Sequence, residues 1–132
     1  MADNESNWSH MIALEATPRS ASRARAFVTY HLVDHRLLYL VDAVRLVASE
    51  LATNALVHAH TAFTVTLSGS DTTVLLTVRD HSLAMPERRA AQALDATGRG
   101  LEIVDIVSRE WGMNVDEAGS KAVWAAFDIR AR

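Results

Sequence analysis

Hydrophobic residues recur at steps of three and four in three stretches of the chain, and this spacing predicts helices. The predicted helices run from Ser20 to His35, from Leu38 to His60, and from Leu101 to Glu110. Gly112 is the predicted C-terminal cap of the third helix, because glycine is common where helices end.

Hydrophobic and polar residues alternate in most of the remaining segments, as is typical of strands with one buried face. The predicted strands are residues 11–15, 63–67, 74–80, 113–116 and 122–129. The segment from His81 to Arg99 has no sustained hydrophobic stripe, so it is predicted to be a loop with at most a short helix. This order predicts an α/β fold, a two-layer sandwich in which about three helices cover one face of a mostly antiparallel, mixed sheet.

Three polar residues of the second helix conflict with its hydrophobic pattern. At about 100° per residue, one stripe of this helix faces the core, and it contains Leu40, Val44, Val47 and Leu51. Glu50, Asn54 and His58 follow each other at steps of four and lie within or beside that stripe. An unpaired buried polar group costs about 1–3 kcal/mol. Either the fold pairs these groups internally, or the core opens there to a polar ligand.

Composition limits the possible functions. The 132 residues fit one domain, residues 1–132, of which residues 1–10 are polar enough to be predicted disordered. A net charge of -3 with scattered basic residues argues against nucleic-acid binding. Cysteine is absent, which excludes disulfides and thiolate metal sites. No long apolar run or signal peptide is present, so a cytoplasmic protein without membrane contact is expected.

Two further features suggest a nucleotide site near the polar trio, and two members of the trio suit the same site. Asp80 ends a predicted strand, where a fixed carboxylate could accept a hydrogen bond from the exocyclic amine of adenine. The sequence Gly98-Arg99-Gly100 precedes a helix N-terminus, whose free N–H groups favour phosphate. Asn54 could offer its amide oxygen to Mg²⁺, and Glu50 could accept a proton from a hydroxyl group.

Each of these residues also has an ordinary structural explanation. Glu50 could be a surface carboxylate, Asn54 could cap a loop, and His58 could be a satisfied core histidine. Asp80 could be a turn residue, and Gly98-Arg99-Gly100 could open a helix without binding anything. It is their combination, in this order and at this spacing, that favours the nucleotide site.

The string from Glu50 to Ala59 resembles the N-box of the GHKL ATPases. Gly98-Arg-Gly-Leu101 and Gly119-Ser-Lys121-Ala-Val-Trp124 are similar to motifs of the smaller RsbW-type group within that superfamily. That group consists of bacterial anti-sigma factors that are also serine/threonine protein kinases. The resemblance covers the chain from about Met11 to Ile129, and it implies the Bergerat fold with ATP and Mg²⁺ as cofactors.

The resemblance also implies a role for each matching residue. Asn54 would be the Mg²⁺ ligand, Glu50 the catalytic general base and Asp80 the carboxylate that binds adenine. The residues expected near the phosphates are His58, Gly98, Arg99, Gly100 and Leu101. The implied activity is transfer of the ATP γ-phosphate to a serine or threonine of an anti-anti-sigma (STAS-type) partner. A sigma factor is the other implied partner, and a homodimer is the implied assembly.

The chain departs from the family at the first glycine box. That box normally reads Asp-x-Gly-x-Gly, whereas Asp80-His-Ser-Leu-Ala84 contains no glycine. Ala122 also replaces a common threonine after the lysine. The altered first glycine box permits an alternative function, a protein-interaction module that binds nucleotide without transferring phosphate.

Overall fold

A computed structural model of the chain describes residues 7–59, 61–80, 98–117 and 119–130; at residues 58, 59 and 98–101 it describes the backbone alone. The strands are β1 (Trp8–Leu14), β2 (Phe63–Gly69), β3 (Thr73–Asp80), β4 (Glu110–Val115) and β5 (Lys121–Asp128). The helices are α1 (Arg19–Asp34), α2 (Val41–Ala59) and α3 (Gly98–Val107), with a 3-10 turn at Leu38–Leu40 before α2. The loop was predicted from His81 to Arg99: residues 81–97 lie outside the described residues, and Gly98 and Arg99 belong to α3 instead.

The strands form one sheet in the order β1-β2-β3-β5-β4, and all the described pairings are antiparallel. One face of the sheet carries the buried positions that pack against the helices, whereas polar residues such as Thr64, Thr66 and Thr77 lie on the other face. The predicted two-layer α/β sandwich is therefore confirmed. Its core includes Leu14, Val28, Leu32, Val44, Val47, Leu51, Phe63, Val65, Leu67 and Leu76.

The predicted end of the third helix is wrong. α3 begins at Gly98 and ends at Val107, where the main-chain N–H of Ser108 donates to the carbonyl of Val104 at 3.0 Å. The next residue, Arg109, donates its N–H to the carbonyl of Ala126 in β5 at 2.8 Å, which starts a strand. Gly112 is therefore a strand residue and not a helix cap. The ring of Trp124 lies where a side chain at position 112 would be, since a Cβ there would come within 2.5 Å of it.

The N-terminal strand is longer than the sequence predicted. β1 begins at Trp8, so residues 8–10, which were predicted to be disordered, pair with β2. Residues 1–6 lie outside the described part of the chain. None of the helices in the described part is long and apolar enough to cross a membrane.

Aromatic and imidazole rings join β1 to the C-terminal half of α1 and to His35, which follows that helix. Trp8 stacks on His35 with ring centroids 3.9 Å apart, and His10 stacks on His31 at 3.8 Å. The Nε2 atoms of His10 and His35 are 2.9 Å apart, so one ring donates its N–H to the other. Phe27 adds an edge-on contact with His31 at 4.8 Å. The stacking and the imidazole hydrogen bond therefore hold the edge strand to the helix.

Acidification is expected to destabilise the protein through these histidines. Burial, followed by the neighbouring His10, lowers the pKa of both His31 and His35 below the ordinary 6.5, and Asp34 acts in the opposite direction. The unfolded chain therefore binds protons at a higher pH than the folded chain, so the free energy of unfolding decreases as the pH falls below about 6.5. Thermal melting between about pH 7.5 and 5.5, where histidine is the side chain that normally titrates, measures the effect.

The matched variant for this experiment is His31→Phe, which keeps an aromatic ring between Phe27 and His10 and removes a titrating group. Its melting temperature should fall less steeply on acidification than that of the wild type. Equal slopes for the two proteins would show that His31 does not contribute to the acid sensitivity.

Candidate functional site

Four chain segments meet at one end of the sheet. α2 ends at Ala59, and β2 begins four residues later at Phe63, which pairs with Asp80 at the end of β3. Asp80 in turn pairs with Lys121 at the start of β5. The C-terminal half of α2 is thereby placed beside the end of β3 and the start of β5.

α3 lies beside α2 and leads into β4. α3 packs against α2, and its C-terminus is followed by Glu110, which pairs with Ala126 in the more distant half of β5. A helix of 10 residues is about 15 Å long, which is long enough to span the distance along β5 from Ala126 to Lys121. The N-terminus of α3 presents main-chain N–H groups and the positive end of the helix dipole.

Asn54 is buried in α2 with an unpaired oxygen. Its side chain is 3% exposed, and its Oδ1 atom has no hydrogen-bond partner in the described part of the chain. The predicted core stripe of α2 is confirmed, because Val44, Val47 and Leu51 are also buried. An unpaired buried acceptor costs free energy unless a donor or a cation reaches it, so Asn54 fits an amide that binds a ligand.

Glu50 lies one helical turn before Asn54 and is half-buried. Residues four apart are neighbours on a helix surface, so the carboxylate of Glu50 and the amide of Asn54 occupy the same side of α2. A half-buried carboxylate remains accessible to a hydroxyl group, as a general base must be.

Asp80 is held rigidly at the end of β3. It is 1% exposed, and it follows Leu76 and Val78 on the face of β3 that packs against the helices. The hydroxyl of Ser120 donates to the main-chain carbonyl of Asp80 at 3.0 Å. This hydrogen bond ties the end of β3 to the start of β5, so the backbone that carries the carboxylate is fixed.

Lys121 belongs to the motif Gly119-Ser-Lys121-Ala-Val-Trp124, and the family resemblance implies no role for it. Lys121 is 2% exposed and is the cross-strand neighbour of Asp80. Lysine is almost never fully buried unless it is paired, and Lys121 is the only lysine in the sequence. The single lysine beside a predicted strand is the sequence feature that could have drawn attention to this position. Its burial depends on the register of β5 on β3, which local sequence patterns do not determine.

The structure brings Asn54 and Asp80 to one end of the fold, with Glu50 beside Asn54. The side chains of His58, Arg99 and Leu101 are outside the described part of the structure. Gly98, Arg99 and Gly100 form the first turn of α3, and were predicted to precede it. Among the described residues, no group of three or more histidine, aspartate or glutamate side chains could hold a metal ion.

Comparison with known families identifies the group to which this arrangement belongs. The model of the histidine kinase-like ATPase domain matches residues 14–126, which is most of the chain. The chain belongs to this ATPase family. The match confirms the GHKL superfamily, which the sequence predicted from the string around Asn54.

A solved structure has the same fold as this ATPase domain. The chain is similar to the RsbU and RsbW domains of a Mycobacterium tuberculosis protein, with a TM-score of 0.69 and 18% sequence identity. The match covers 95% of this chain and 34% of the solved one, so this chain spans about a third of the length of that two-domain structure. No curated protein matches the sequence significantly.

Proposed function

We propose that this ATPase-family domain is a regulator of the anti-sigma type. It binds Mg-ATP, transfers the γ-phosphate to a serine or threonine of an anti-anti-sigma (STAS-type) protein, and sequesters a sigma factor. A cytoplasmic location and a homodimeric assembly belong to the same proposal. The likeness to a structure that contains an RsbW domain supports the anti-sigma assignment.

The observation that carries the proposal is the unpaired oxygen of Asn54 in the N-box of a histidine kinase-like ATPase domain. An amide oxygen suits Mg²⁺, a hard cation that usually keeps waters and substrate phosphates as its other ligands. One protein oxygen at Asn54 is therefore enough to place the ion beside the phosphates. When bound there, the ion would supply positive charge that neutralises the negative charge developing during transfer.

The protein groups then have separate tasks. The carboxylate of Asp80 accepts a hydrogen bond from the exocyclic amine of adenine. The N-terminus of α3 contributes main-chain N–H groups to the phosphates. Glu50 accepts the proton of the serine or threonine hydroxyl while the oxygen of that hydroxyl bonds to the γ-phosphorus. The bond between the γ-phosphorus and the β–γ bridging oxygen breaks, which releases ADP.

A second candidate function is nucleotide binding without transfer. The absence of glycine between His81 and Ala84 permits it. Glycine allows backbone to approach a phosphate closely, so a chain without it can hold the nucleotide and still fail to position the γ-phosphate for transfer. In this case the protein would bind its partners in a nucleotide-dependent way and leave them unmodified.

Melting curves and mass spectrometry separate the two functions. Saturation at about ten times Kd stabilises a protein by about 1.4 kcal/mol, which for a domain of this size raises Tm by several degrees. We expect ATP with Mg²⁺ to produce this rise, and we expect a STAS-type protein incubated with both to gain the mass of one phosphate. A rise in Tm without phosphorylation of any STAS-type protein would favour the binding module.

A further inference from the structure

The only lysine of the chain lies in the predicted adenine site. The chain has 13 lysine and arginine residues, and all of them except Lys121 are arginines. The lysine stands at a buried position that is 2% exposed. Its side chain extends from the helix-covered face of β5, because Val123 and Ala125 follow it at alternate, buried positions. Lysine differs from arginine in being a compact point charge on a flexible stem.

Lys121 and Asp80 are direct cross-strand neighbours. Their Cβ atoms are therefore about 4.5–5.5 Å apart on the same face of the sheet. One of these side chains ends in hydrogen-bond acceptors only and the other in donors only. Together they offer an acceptor and a donor, side by side, to a group that lies over this end of the sheet.

Hydrogen bonds around Ser120 fix the strand ends that carry the pair. The hydroxyl of Ser120 donates to the main-chain carbonyl of Asp80 at 3.0 Å and accepts from Arg79 Nη1 at 3.1 Å. The main-chain N–H of Ser120 donates to Asp116 Oδ1 at 2.9 Å. Since Ser120 immediately precedes Lys121, the spacing between the two charged residues is set before any ligand binds.

Building on the proposed ATP site, we infer that Lys121 is a specificity residue that donates a hydrogen bond to N1 of adenine while Asp80 accepts one from the exocyclic amine. The Watson–Crick edge of adenine carries the donor N6 amine and the acceptor N1 at adjacent ring positions. Guanine carries the reverse order, with O6 as an acceptor and N1–H as a donor. Guanine would therefore place its acceptor O6 against the carboxylate of Asp80 and its donor N1–H against the ammonium group of Lys121. Polar sites discriminate strongly against such a mismatch.

The inference is tested by removing N1 from the ligand and the ammonium group from the protein. In 1-deaza-ATP a C–H group replaces N1. Wild-type protein should bind this analogue at least about tenfold more weakly than ATP, because a hydrogen bond from a charged donor is lost. Lys121→Met should bind ATP about tenfold more weakly than wild type does and should bind the two nucleotides equally, within about twofold.

Arg45→Met is the matched control. Arg45 is exposed on α2 and takes no part in the hydrogen bonds around Ser120. This variant also loses one positive charge, so it corrects for a general effect of net charge. It should prefer ATP over 1-deaza-ATP by the same factor as wild type.

A second measurement needs no substitution. Protein labelled with ¹⁵N-lysine has a single side-chain ammonium signal, because the chain has a single lysine. ATP should shift this signal and slow its proton exchange, whereas 1-deaza-ATP should leave the exchange rate unchanged. This measurement decides the question even when Lys121→Met does not fold.

Each contrary outcome has a distinct meaning. Equal affinity of the wild type for ATP and 1-deaza-ATP, or an undiminished preference in Lys121→Met, would overturn the role of Lys121 and leave the proposed ATP binding intact. A Lys121→Met defect seen with ATP but not with adenosine would assign the ammonium group to the phosphates, which also overturns it. Failure of the wild type to bind any adenine nucleotide would overturn the proposed function itself.

Discussion

Replacing Asn54 with alanine is expected to weaken Mg-dependent ATP binding by about a hundredfold or more. Loss of a group that merely supports a metal ligand typically costs about 10–100-fold in affinity, and Asn54 is proposed to be the ligand itself. Calorimetric titration with ATP in the presence of Mg²⁺ and in its absence measures the change. The loss should be confined to the Mg-dependent part of the affinity.

The same variant should keep most of its stability without ligand. Asn54 Oδ1 is buried and has no described hydrogen-bond partner, so alanine removes an unsatisfied polar atom whose burial is costly. Thr53→Ala is the control, because Thr53 is the exposed neighbour on the same helix. Unchanged Mg-ATP affinity together with a large fall in Tm would show that Asn54 is a structural amide.

Replacing Glu50 with glutamine should stop phosphate transfer and preserve nucleotide binding. A positioned general base contributes about 10²–10⁴-fold to a rate, and glutamine keeps the shape of the side chain without accepting the proton. The rate of phosphorylation of a STAS-type protein and the Kd for Mg-ATP are the two quantities to compare. The rate should fall within that range, and Kd should change by less than about threefold.

Asp42→Asn provides the control for Glu50, since it neutralises an exposed carboxylate in the first turn of the same helix. A Glu50→Gln protein that phosphorylates its partner at the wild-type rate would exclude Glu50 as the base. A wild-type protein that transfers no phosphate would instead favour the nucleotide-binding module.

Local patterns were sufficient to predict α1, α2, both hairpins and the position of Asn54 on α2. In α2 the hydrophobic residues that repeat at helical spacing are also the buried ones, as Val44, Val47 and Leu51 show. The conflict of Asn54 with that stripe was visible in the sequence for the same reason. The family assignment rested on these local motifs and was confirmed.

Features that depend on long-range pairing were not predictable. The hydrophobic steps of α3 continue to Trp111, but the hydrogen bond from Arg109 to Ala126 ends the helical region and begins β4. The burial of Lys121 beside Asp80 follows from the register of β5 on β3. The contact between His10 and His35 joins residues 25 positions apart, so no local spacing indicates it.

A crystal structure of the protein with Mg²⁺ and a non-hydrolysable ATP analogue tests the central claim most directly. The nucleotide is expected between α2 and the end of β3, with adenine on Asp80 and the metal ion on Asn54 Oδ1. Crystals grown at millimolar analogue that hold no nucleotide at this end of the sheet, or hold it elsewhere on the protein, would contradict the proposed site.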